Sequence, residues 1–502
     1  MQWYITPMLR SRPALWLAII LFPPLGLILL WMRRDYRVLG KLTATVAVLA
    51  IAVVELFYVY GMRVIWDGGV TRIMGVSFRE RQRHDAAIEE NRAKQKQEPE
   101  PPAPEPASVA VKVPTTAVKV IPVAYWTDFR GPHRDGVYAQ SEINTQWPLP
   151  MLWKQPIGGG YASFTFGEGR AYTIEQRRDK ETIAAYDPQT GREIWTFAYP
   201  ASFDEVLGGP GPRATPVYHE GLLYSLGANG DFYCLNAKTG KSKWSKNILT
   251  DNGASNIHWA MSGSPLIVDE KVIVTPGGSG KSIVAYNKLT GDPIWQSLSD
   301  EVAYTSPILA TLGGRRQLVW ISAQRAVGIA PEDGKLLWEY PFPAQMGMNC
   351  SQPVLIDDTH VLLSSSQGPG AALLEITDAG VKEIWKNIRL KNKFNSSVLY
   401  QGYVYGLDEQ ILACIDPKTG DVKWKGGRYG YGQILLAGAH IIVLTEDGEV
   451  VLVRATPEAH QEIARFKAIE GRTWNIPAID NGLLLVRNAS EMACFRIGRN
   501  IQ

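Results

Sequence analysis

The most apolar part of the chain lies near its start, in two runs at residues 15–31 and 44–60. Each run has about seventeen residues, which is near the lower limit for a helix that crosses a bilayer. A cleaved signal peptide would have a single apolar core, so the two runs predict a retained transmembrane helical hairpin over residues 1–62. Pro23 and Pro24 lie inside the first run and predict a kinked or re-entrant first helix.

The loop between the two apolar runs is basic. Its cationic residues are Arg33, Arg34, Arg37 and Lys41. Short basic loops stay on the cytoplasmic side of a membrane, so this hairpin is expected in the cytoplasmic (inner) membrane of a bacterium. The N-terminus and everything after residue 62 would then lie on the periplasmic, extracytoplasmic side.

Residues 63–120 are predicted to form a charged stalk and a proline-rich linker. From Phe78 to Gln97 charges of both signs alternate, which is typical of a solvated helix or a short coiled stalk, and less often of a helix that binds a partner. The prolines between Glu98 and Pro106 then predict an extended, semi-rigid spacer. Such a segment would hold the following domain away from the membrane.

Beyond about residue 121 the pattern changes to short alternating strands separated by turns. The repeated unit is an apolar strand, a turn of the form Asp/Asn-x-x-Thr-Gly or a shorter variant, and a strand that ends in Trp. These turns lie at residues 187–191, 236–240, 287–291, 331–334, 378–380 and 416–420. They predict hairpins in which glycine supplies the positive φ that the turn requires.

The aromatic residue that ends each unit recurs every 39 to 51 residues. The eight positions are Trp153, Trp195, Trp244, Trp295, Trp338, Trp385, Trp424 and Phe466. Such a period with four strands per unit predicts an all-β fold over residues 121–502, an eight-bladed β-propeller of four-stranded blades. Trp153 has no preceding blade and the last unit has only three strands, so the N-terminal strand is predicted to close the last blade.

Composition supports a β protein and argues against several functions. The chain has 16 Trp, 21 Tyr and 47 Gly, which suit short strands and tight turns. Its 52 basic and 49 acidic residues leave a net charge of only +3, so no nucleic-acid partner is indicated. The four cysteines include no CxxC motif and no adjacent pair, which argues against a zinc site or a local disulfide.

The Asp-Pro-x-Thr-Gly-x-x-x-Trp units resemble PQQ-type propeller repeats, which are shared by quinoprotein alcohol dehydrogenases and by the outer-membrane assembly lipoprotein BamB. The segment WTDFRGPHRDGV at residues 126–137 also looks like the opening of PQQ-binding-like propeller proteins. The resemblance covers about residues 124–497 and implies a propeller. It does not fix an activity, because the repeat motif belongs to the blade and not to a site.

For a dehydrogenase, the resemblance implies PQQ with Ca²⁺. That chemistry needs a carboxylate base beside the quinone, Glu and Asn oxygens on the Ca²⁺, and a cation near the quinone oxygens. The family's alcohol dehydrogenases also carry a disulfide between adjacent cysteines, and this chain has no adjacent cysteines and no haem-attachment CxxCH. PQQ with Ca²⁺ therefore stays an alternative, and no catalytic residue is assigned.

Ligands of propellers usually bind at one mouth of the central channel, on residues just before each innermost strand. A ring of eight residues lies three positions ahead of the predicted strand starts: Tyr161, Arg213, Ser262, Tyr304, Cys350, Asn395, Gly430 and Trp474. Five of them, Tyr161, Arg213, Tyr304, Asn395 and Trp474, are predicted to line a binding pocket with aromatic walls. The alternative is that they only pack and solvate the channel mouth.

His258 is the most interesting single histidine, because it precedes a strand near the same mouth. No second His, Cys or carboxylate lies at ligand spacing from it, so no metal site is predicted.

Three functions remain open. The first is a non-catalytic protein-interaction scaffold in the bacterial envelope, because the repeat is well formed and no catalytic set is found. The second is a membrane-bound, PQQ-dependent dehydrogenase of alcohols or sugars. The third is a sensor that binds a small ligand in the channel mouth. The expected partners are envelope proteins and, through the N-terminal hairpin, the membrane.

Overall fold

The computed structural model describes residues 13, 15, 17, 23–33, 35–58, 62–67, 72–78, 80–97 and 123–498. The chain divides into two units, Met1–His84 and Asp85–Gln502. The boundaries predicted at residues 62 and 120 stay predictions. Each unit is described by itself.

In its described part, the first unit contains helices α1 (Pro23–Met32) and α2 (Val38–Tyr58). Residues 18–22, which precede Pro23 and on which the predicted kink would fall, lie outside the described part of the chain. Leu30 and Val48 are buried in one small apolar cluster, so the two helices pack together.

The helices are followed by an antiparallel hairpin of strands β1 (Met62–Asp67) and β2 (Arg72–Phe78). This hairpin lies within the predicted stalk and was not predicted, although its strands contain β-branched residues. Among the helices that the structure describes, none has both the length and the apolar character needed to cross a membrane. The transmembrane part of the predicted hairpin therefore has no support in the structure.

The second unit begins within helix α3 (Glu80–Gln97). Two strands then precede blade 1, β3 (Val137–Tyr138) and β4 (Met151–Pro156). Strand β4 and the strands that follow form eight four-stranded blades around a central channel, and β3 adds a fifth strand to one of them, which confirms the predicted all-β propeller. The blades pack through apolar strand residues that are buried between neighbouring sheets.

The strands of blades 1 to 4, from the innermost to the outermost, have the following bounds. Blade 1 is β5 (Thr165–Gly167), β6 (Arg170–Arg177), β7 (Lys180–Tyr186) and β8 (Glu193–Pro200), followed by a short hairpin of β9 (Asp204–Glu205) and β10 (Gly209–Pro210). Blade 2 is β11 (Val217–His219), β12 (Leu222–Leu226), β13 (Asp231–Asn236) and β14 (Ser242–Asn247). Blade 3 is β15 (Leu266–Val268), β16 (Lys271–Val274), β17 (Ile283–Asn287) and β18 (Pro293–Ser297). Blade 4 is β19 (Ile308–Leu312), β20 (Arg315–Ile321), β21 (Arg325–Ile329) and β22 (Leu336–Pro341).

The remaining blades follow the same order. Blade 5 is β23 (Val354–Leu355), β24 (His360–Ser365), β25 (Gly370–Thr377) and β26 (Gly380–Asn387). Blade 6 is β27 (Val398–Tyr400), β28 (Tyr403–Asp408), β29 (Ile411–Asp416) and β30 (Asp421–Arg428). Blade 7 is β31 (Gln433–Ala437), β32 (His440–Leu444), β33 (Glu449–Arg454) and β34 (Glu462–Lys467). Blade 8 is β35 (Ala478–Asp480), β36 (Leu483–Arg487), β37 (Glu491–Arg496) and β4. Two short 3₁₀ helices, Thr250–Asn252 and Gln345–Gly347, lie between blades.

Strand β4 closes the ring. It pairs antiparallel with β37 and supplies the outermost strand of blade 8, as the sequence predicts. The clasp joins the N-terminal and C-terminal strands of the propeller, so no blade is left with three strands.

The tryptophan of most repeats holds neighbouring blades together, whereas the Trp338 indole donates to Gln317 of its own blade. The Trp195 indole donates a 3.0 Å hydrogen bond to the Ala237 carbonyl of the next blade, and the Trp385 indole donates one of 2.8 Å to Pro417. The turn glycine lies against the ring: a Cβ on Gly240 would come within 2.6 Å of Trp195. The Trp and Gly of the motif therefore make contacts between blades, and the same Gly also supplies the positive φ of the turn.

The two ends of the channel differ. We call the end at which the innermost strands begin the mouth, and the end at which they finish the base. Residues 124–138 enter and leave the channel at the base, where Asp480 accepts hydrogen bonds from the Tyr125 and Trp126 amides and β3 pairs in parallel with β31. We call this segment the plug.

Two arginines of the plug lie inside the channel, only 1 % (Arg130) and 3 % (Arg134) exposed. Arg134 donates to the carbonyls of Ser264, Pro265 and Pro307, in blades 3 and 4. Arg130 donates to the carbonyls of residues 396 and 397, at the start of blade 6. The plug therefore ties blades together from the inside and closes the base.

Candidate functional site

The mouth is built by the loops that connect the outermost strand of one blade to the innermost strand of the next. Four aromatic rings from these loops form a connected group. Tyr161 stacks on Trp474 with 5.6 Å between ring centroids, Trp474 lies 4.7 Å from Phe394, and Phe394 lies 5.8 Å from Tyr431. Because these residues precede blades 1, 8, 6 and 7, the rings converge from four blades.

Cationic side chains rest on these rings. The Arg472 guanidinium lies 4.3 Å from the Trp474 ring and donates a 3.1 Å hydrogen bond to the Tyr161 hydroxyl. The Lys393 ammonium lies 4.3 Å from the Tyr431 ring. A cation over an aromatic face is attracted by the negative face of the ring, so the mouth combines apolar surface with positive charge.

Glu446 brings a carboxylate to the same group. One of its oxygens accepts a 2.8 Å hydrogen bond from the Trp474 indole, and the other accepts one of 3.1 Å from the Tyr431 amide. Glu446 lies in the turn between the second and third strands of blade 7, which also opens on the mouth. Its contacts fix the orientation of Trp474.

Arg213 organises the opposite side of the mouth. Its guanidinium donates to the carbonyls of Gly208, Gly209, Gly211 and Trp259 and lies 5.4 Å from the Tyr161 ring. Burial lowers the pKa of Arg213, and nearby Tyr161 and Glu181 partly offset this. The side chain therefore holds the β9–β10 hairpin in place.

Tyr304 continues the group through Trp259, whose ring lies 5.9 Å away. The Trp259 amide donates to the Tyr304 hydroxyl over 3.4 Å. Burial raises the pKa of Tyr304 to about 12. This phenol therefore stays protonated at physiological pH.

The structure brings together four of the five residues predicted to line the mouth: Tyr161, Arg213, Tyr304 and Trp474. Asn395 lies apart from them, because it is fully buried and its side-chain oxygen accepts a 2.9 Å hydrogen bond from Asn392. Of the other ring positions, Cys350 is half-buried, and burial raises the pKa of its thiol to about 12.

Several residues of the mouth were missed from the sequence: Trp259, Lys393, Phe394, Tyr431, Glu446 and Arg472. The count of three positions before each strand failed for them because the loops differ in length. Glu446 was missed because it belongs to a turn within a blade. A search of the loops for aromatic and basic residues as neighbours would have found Lys393-Phe394 and Arg472-Thr473-Trp474.

His258 is 60 % exposed at the side chain and lies 4.0 Å from Glu205. In the part of the chain that the structure describes, no three His, Cys, Asp or Glu side chains converge as a metal site would require.

Around Trp474 and Glu446, the side chains of the mouth do not fit PQQ with Ca²⁺. A planar quinone would need an open ring face, but Tyr161 and Arg472 already pack on Trp474. The oxygens of Glu446 accept bonds from the protein, and the cations around them disfavour a divalent metal ion. The arrangement is suited to recognition of a surface with apolar and acidic groups.

Comparisons with known proteins agree with this architecture. The family described as Outer membrane protein assembly factor BamB matches residues 179–426. BamB of Burkholderia pseudomallei is 22 % identical over 321 residues, which are 60 % of this chain and 75 % of that protein. The structure of BamB from Moraxella catarrhalis superposes with a TM-score of 0.52 at 15 % identity and covers 71 % of this chain and 99 % of that one.

This chain is a β-propeller of PQQ-type repeats. The PQQ-repeat propeller is also similar to enzymes. Tetrathionate hydrolase of Acidithiobacillus ferrooxidans is 24 % identical over 375 residues, 70 % of this chain and 64 % of that enzyme. Quinohemoprotein alcohol dehydrogenase of Comamonas testosteroni superposes with a TM-score of 0.53 at 14 % identity, covering 75 % of this chain and 81 % of that one. These likenesses show the fold and leave the activity open.

Proposed function

We propose that the PQQ-repeat propeller is a non-catalytic protein-interaction scaffold of the bacterial envelope and that its mouth binds the partner. The observation that carries this proposal is a set of exposed apolar side chains on the loops of the mouth. Val206, Met346 and Ile388 are 70 %, 72 % and 70 % exposed. Exposed apolar groups at the same end of a propeller as a cluster of aromatic rings are typical of a protein-binding surface.

The route of the chain supports the mouth as the binding face. The propeller is reached through the base, where the Val123 carbonyl accepts a hydrogen bond from Gln140. Val123 therefore lies on the side of the propeller away from Val206 and Met346, and a partner could bind at the mouth without displacing it.

The relation to BamB supports a scaffold, since the family is described as an outer membrane protein assembly factor. We propose an extracytoplasmic, periplasmic location, with attachment to the cytoplasmic membrane through the N-terminal helices. Helix α2 exposes apolar side chains along its length, including Leu39 (74 %) and Val46 (67 %). Alkaline carbonate extraction of membranes tests attachment: the full chain should stay in the pellet, and a fragment from residue 121 should be released.

Site-specific photo-crosslinking in intact cells tests the scaffold. A photoreactive amino acid is placed at Val206, Met346 or Ile388, and in the control at Leu289, which is 63 % exposed on a turn at the base. One discrete protein adduct is expected from the mouth positions and not from Leu289. It should disappear when Met346→Glu is combined with the probe at Val206. Equal adducts from both ends, or none from the mouth, would refute the proposal.

A second candidate is a membrane-bound, PQQ-dependent dehydrogenase of alcohols or sugars, favoured by the structural likeness to quinohemoprotein alcohol dehydrogenase. Titration of the soluble fragment with PQQ and Ca²⁺, followed by absorbance and dye reduction with simple alcohols, tests it. Tight binding with turnover would replace the scaffold proposal.

A further inference from the structure

Helix α3 contacts the propeller through its C-terminal half. The side chains of Asn91 and Gln95 donate to the Gln155 side chain of β4, over 3.3 Å and 2.9 Å. The Gln95 oxygen accepts a 3.0 Å hydrogen bond from the Glu193 amide on β8. The helix therefore docks on the outer strands of blades 8 and 1, in contrast to the free stalk that its charge pattern predicts.

Arg92 begins a chain of alternating charges that leads inward from the helix. It pairs with Glu193 at 3.0 Å, Glu193 pairs with Arg177 at 2.8 Å, and Arg177 pairs with Glu175 at 2.6 Å. The exposed fraction falls along this chain, from 25 % at Arg92 to zero at Glu175. Burial makes each of the inner ion pairs depend on its partner, because an unpaired charge there would lose its hydration.

Glu175 is the inner end of the ionic chain. Burial alone would raise the pKa of Glu175, but the charges of Arg177 and Arg487 bring it below its ordinary value. The carboxylate accepts a 2.7 Å hydrogen bond from the Tyr186 hydroxyl and another from the Gly158 amide. The charged form of Glu175 thus holds the loop that contains Gly158.

The loop at residues 157–161 leads directly to the mouth. Arg487 donates to the Gly158 carbonyl over 2.9 Å, and Gly159 exchanges two hydrogen bonds with Gln176. A Cβ on Gly158 would come within 2.6 Å of the Gln176 carbonyl, so the backbone is closely packed. The loop ends at Tyr161, whose ring stacks on Trp474.

We propose that docking of helix α3 controls the position of the 157–161 loop, and so of Tyr161 at the mouth, through Arg92, Glu193, Arg177 and Glu175. These four are positioning residues. Arg177 pairs with two carboxylates, Glu193 and Glu175. Loss of Arg92 would strengthen the ion pair between Arg177 and Glu193 and weaken the one between Arg177 and Glu175. Release of the helix would then loosen the Gly158 amide and the stacked ring.

This coupling would let the N-terminal segment regulate partner binding, and in that respect it rests on the proposed function. The coupling connects helix α3 to the 157–161 loop through the chain of ion pairs from Arg92 to Glu175. Its test requires no partner, so its failure can be separated from failure of the scaffold proposal.

Hydrogen–deuterium exchange of the full chain is the experiment. Arg92→Glu removes the first ion pair, and Lys94→Glu is the matched control, because Lys94 is 66 % exposed and pairs only with Glu90 on the same helix. We expect Arg92→Glu to speed exchange at least tenfold in residues 85–97 and in 157–162, with no change in 302–308. Lys94→Glu should leave all three segments unchanged.

Two further variants keep the test decisive. Glu193→Gln breaks the ionic chain and leaves the Gln95 bond to the residue 193 amide, so exchange should rise in 157–162 more than in the helix. If Arg92→Glu leaves the helix docked, the combination Asn91→Ser, Arg92→Glu and Gln95→Ser removes the polar side-chain contacts of Asn91, Arg92 and Gln95 with the propeller. Release of the helix without faster exchange in 157–162, or an equal response to Lys94→Glu, overturns the proposal.

Discussion

The plug and the mouth loops use cationic side chains in different ways. In the plug, the guanidinium groups of Arg130 and Arg134 are buried inside the channel and bound to main-chain carbonyls. At the mouth, Arg472 and Lys393 are half-buried and lie over aromatic rings. A buried guanidinium that donates to several main-chain carbonyls can bind them in one orientation only. A cation that lies over an aromatic ring keeps part of its surface for contact with another molecule.

The comparison separates a structural segment from a binding surface. The plug fills the channel with groups that serve the fold, and removal of any of them leaves unmet hydrogen bonds in the buried interior. The mouth carries exposed apolar groups that the fold does not need. The same residue type should therefore have unequal effects on stability in the plug and at the mouth.

The largest effect is expected for Arg134→Met. The substitution leaves three carbonyls without their donor and removes the 2.7 Å ion-pair partner of Asp128. Removal of one partner from a buried pair costs about 3–5 kcal/mol, and urea unfolding of residues 121–502 measures it. Arg315→Met is the control, since Arg315 is 54 % exposed and should cost under about 0.5 kcal/mol.

Gly136→Ala tests how closely the plug is packed. Gly136 has a φ of +77°, and a Cβ would lie 2.5 Å from the Arg130 guanidinium. The left-handed conformation and the overlap together should cost about 2–4 kcal/mol. Gly402→Ala has a φ of +80° with no atom nearby, so it should cost only about 1 kcal/mol. Equal losses in the same unfolding assay would mean that the plug can shift.

Arg472→Met repeats the charge removal at the mouth. A cation–π contact at a partly exposed site is worth about 0.5–1 kcal/mol, so the free energy of unfolding should fall by no more than about 1 kcal/mol. The photo-adduct from Val206 should weaken strongly in the same variant. A loss of stability as large as that of Arg134→Met would remove the distinction between the plug and the mouth.

The smallest effect concerns the pH dependence at Tyr304. Its pKa is raised to about 12 in the folded protein, above the ordinary value of 10. Its contribution to stability is therefore complete below pH 10 and is lost as the pH rises from about 10 towards 12. The difference in absorbance at 295 nm between wild type and Tyr304→Phe should show one phenol that titrates near pH 12. Titration of that phenol near pH 10 would show that this side of the mouth is open to solvent.

The sequence predicted the blades well because their contacts recur. Trp195 and Gly240 meet across two blades, and the same contact repeats at nearly every blade, so one local motif reports a long-range interface. The closing strand followed from counting strands around Trp153. Both predictions used a regular spacing that the sequence displays directly.

The site was predicted only in part because loops have no fixed spacing. Tyr161 and Trp474 were found by counting back from strand starts, but Lys393 and Arg472 each stand two positions before the counted residue. Asn395 was predicted at the mouth and does lie in a mouth loop, but its side chain is buried in the interior.

The plug could not be predicted from pattern alone. A segment with Asp128, Arg130, Arg134 and Asp135 has the composition of an exposed loop. Arginine is buried only when several acceptors surround it, and here those acceptors are main-chain carbonyls from other blades. No side chain in the sequence marks their positions.

The plug also has a consequence for the order in which the protein is made. Arg134 leaves the ribosome early, but the blades that surround it follow, and Leu436, opposite Val137 in β31, comes about 300 residues later. At roughly 5–20 residues per second, the last residues that contact the plug are made tens of seconds after the plug itself. Arg130 meets the Ser396 carbonyl only 266 residues after it is made, so nascent chains should stay sensitive to proteases and dependent on holding chaperones until late in translation.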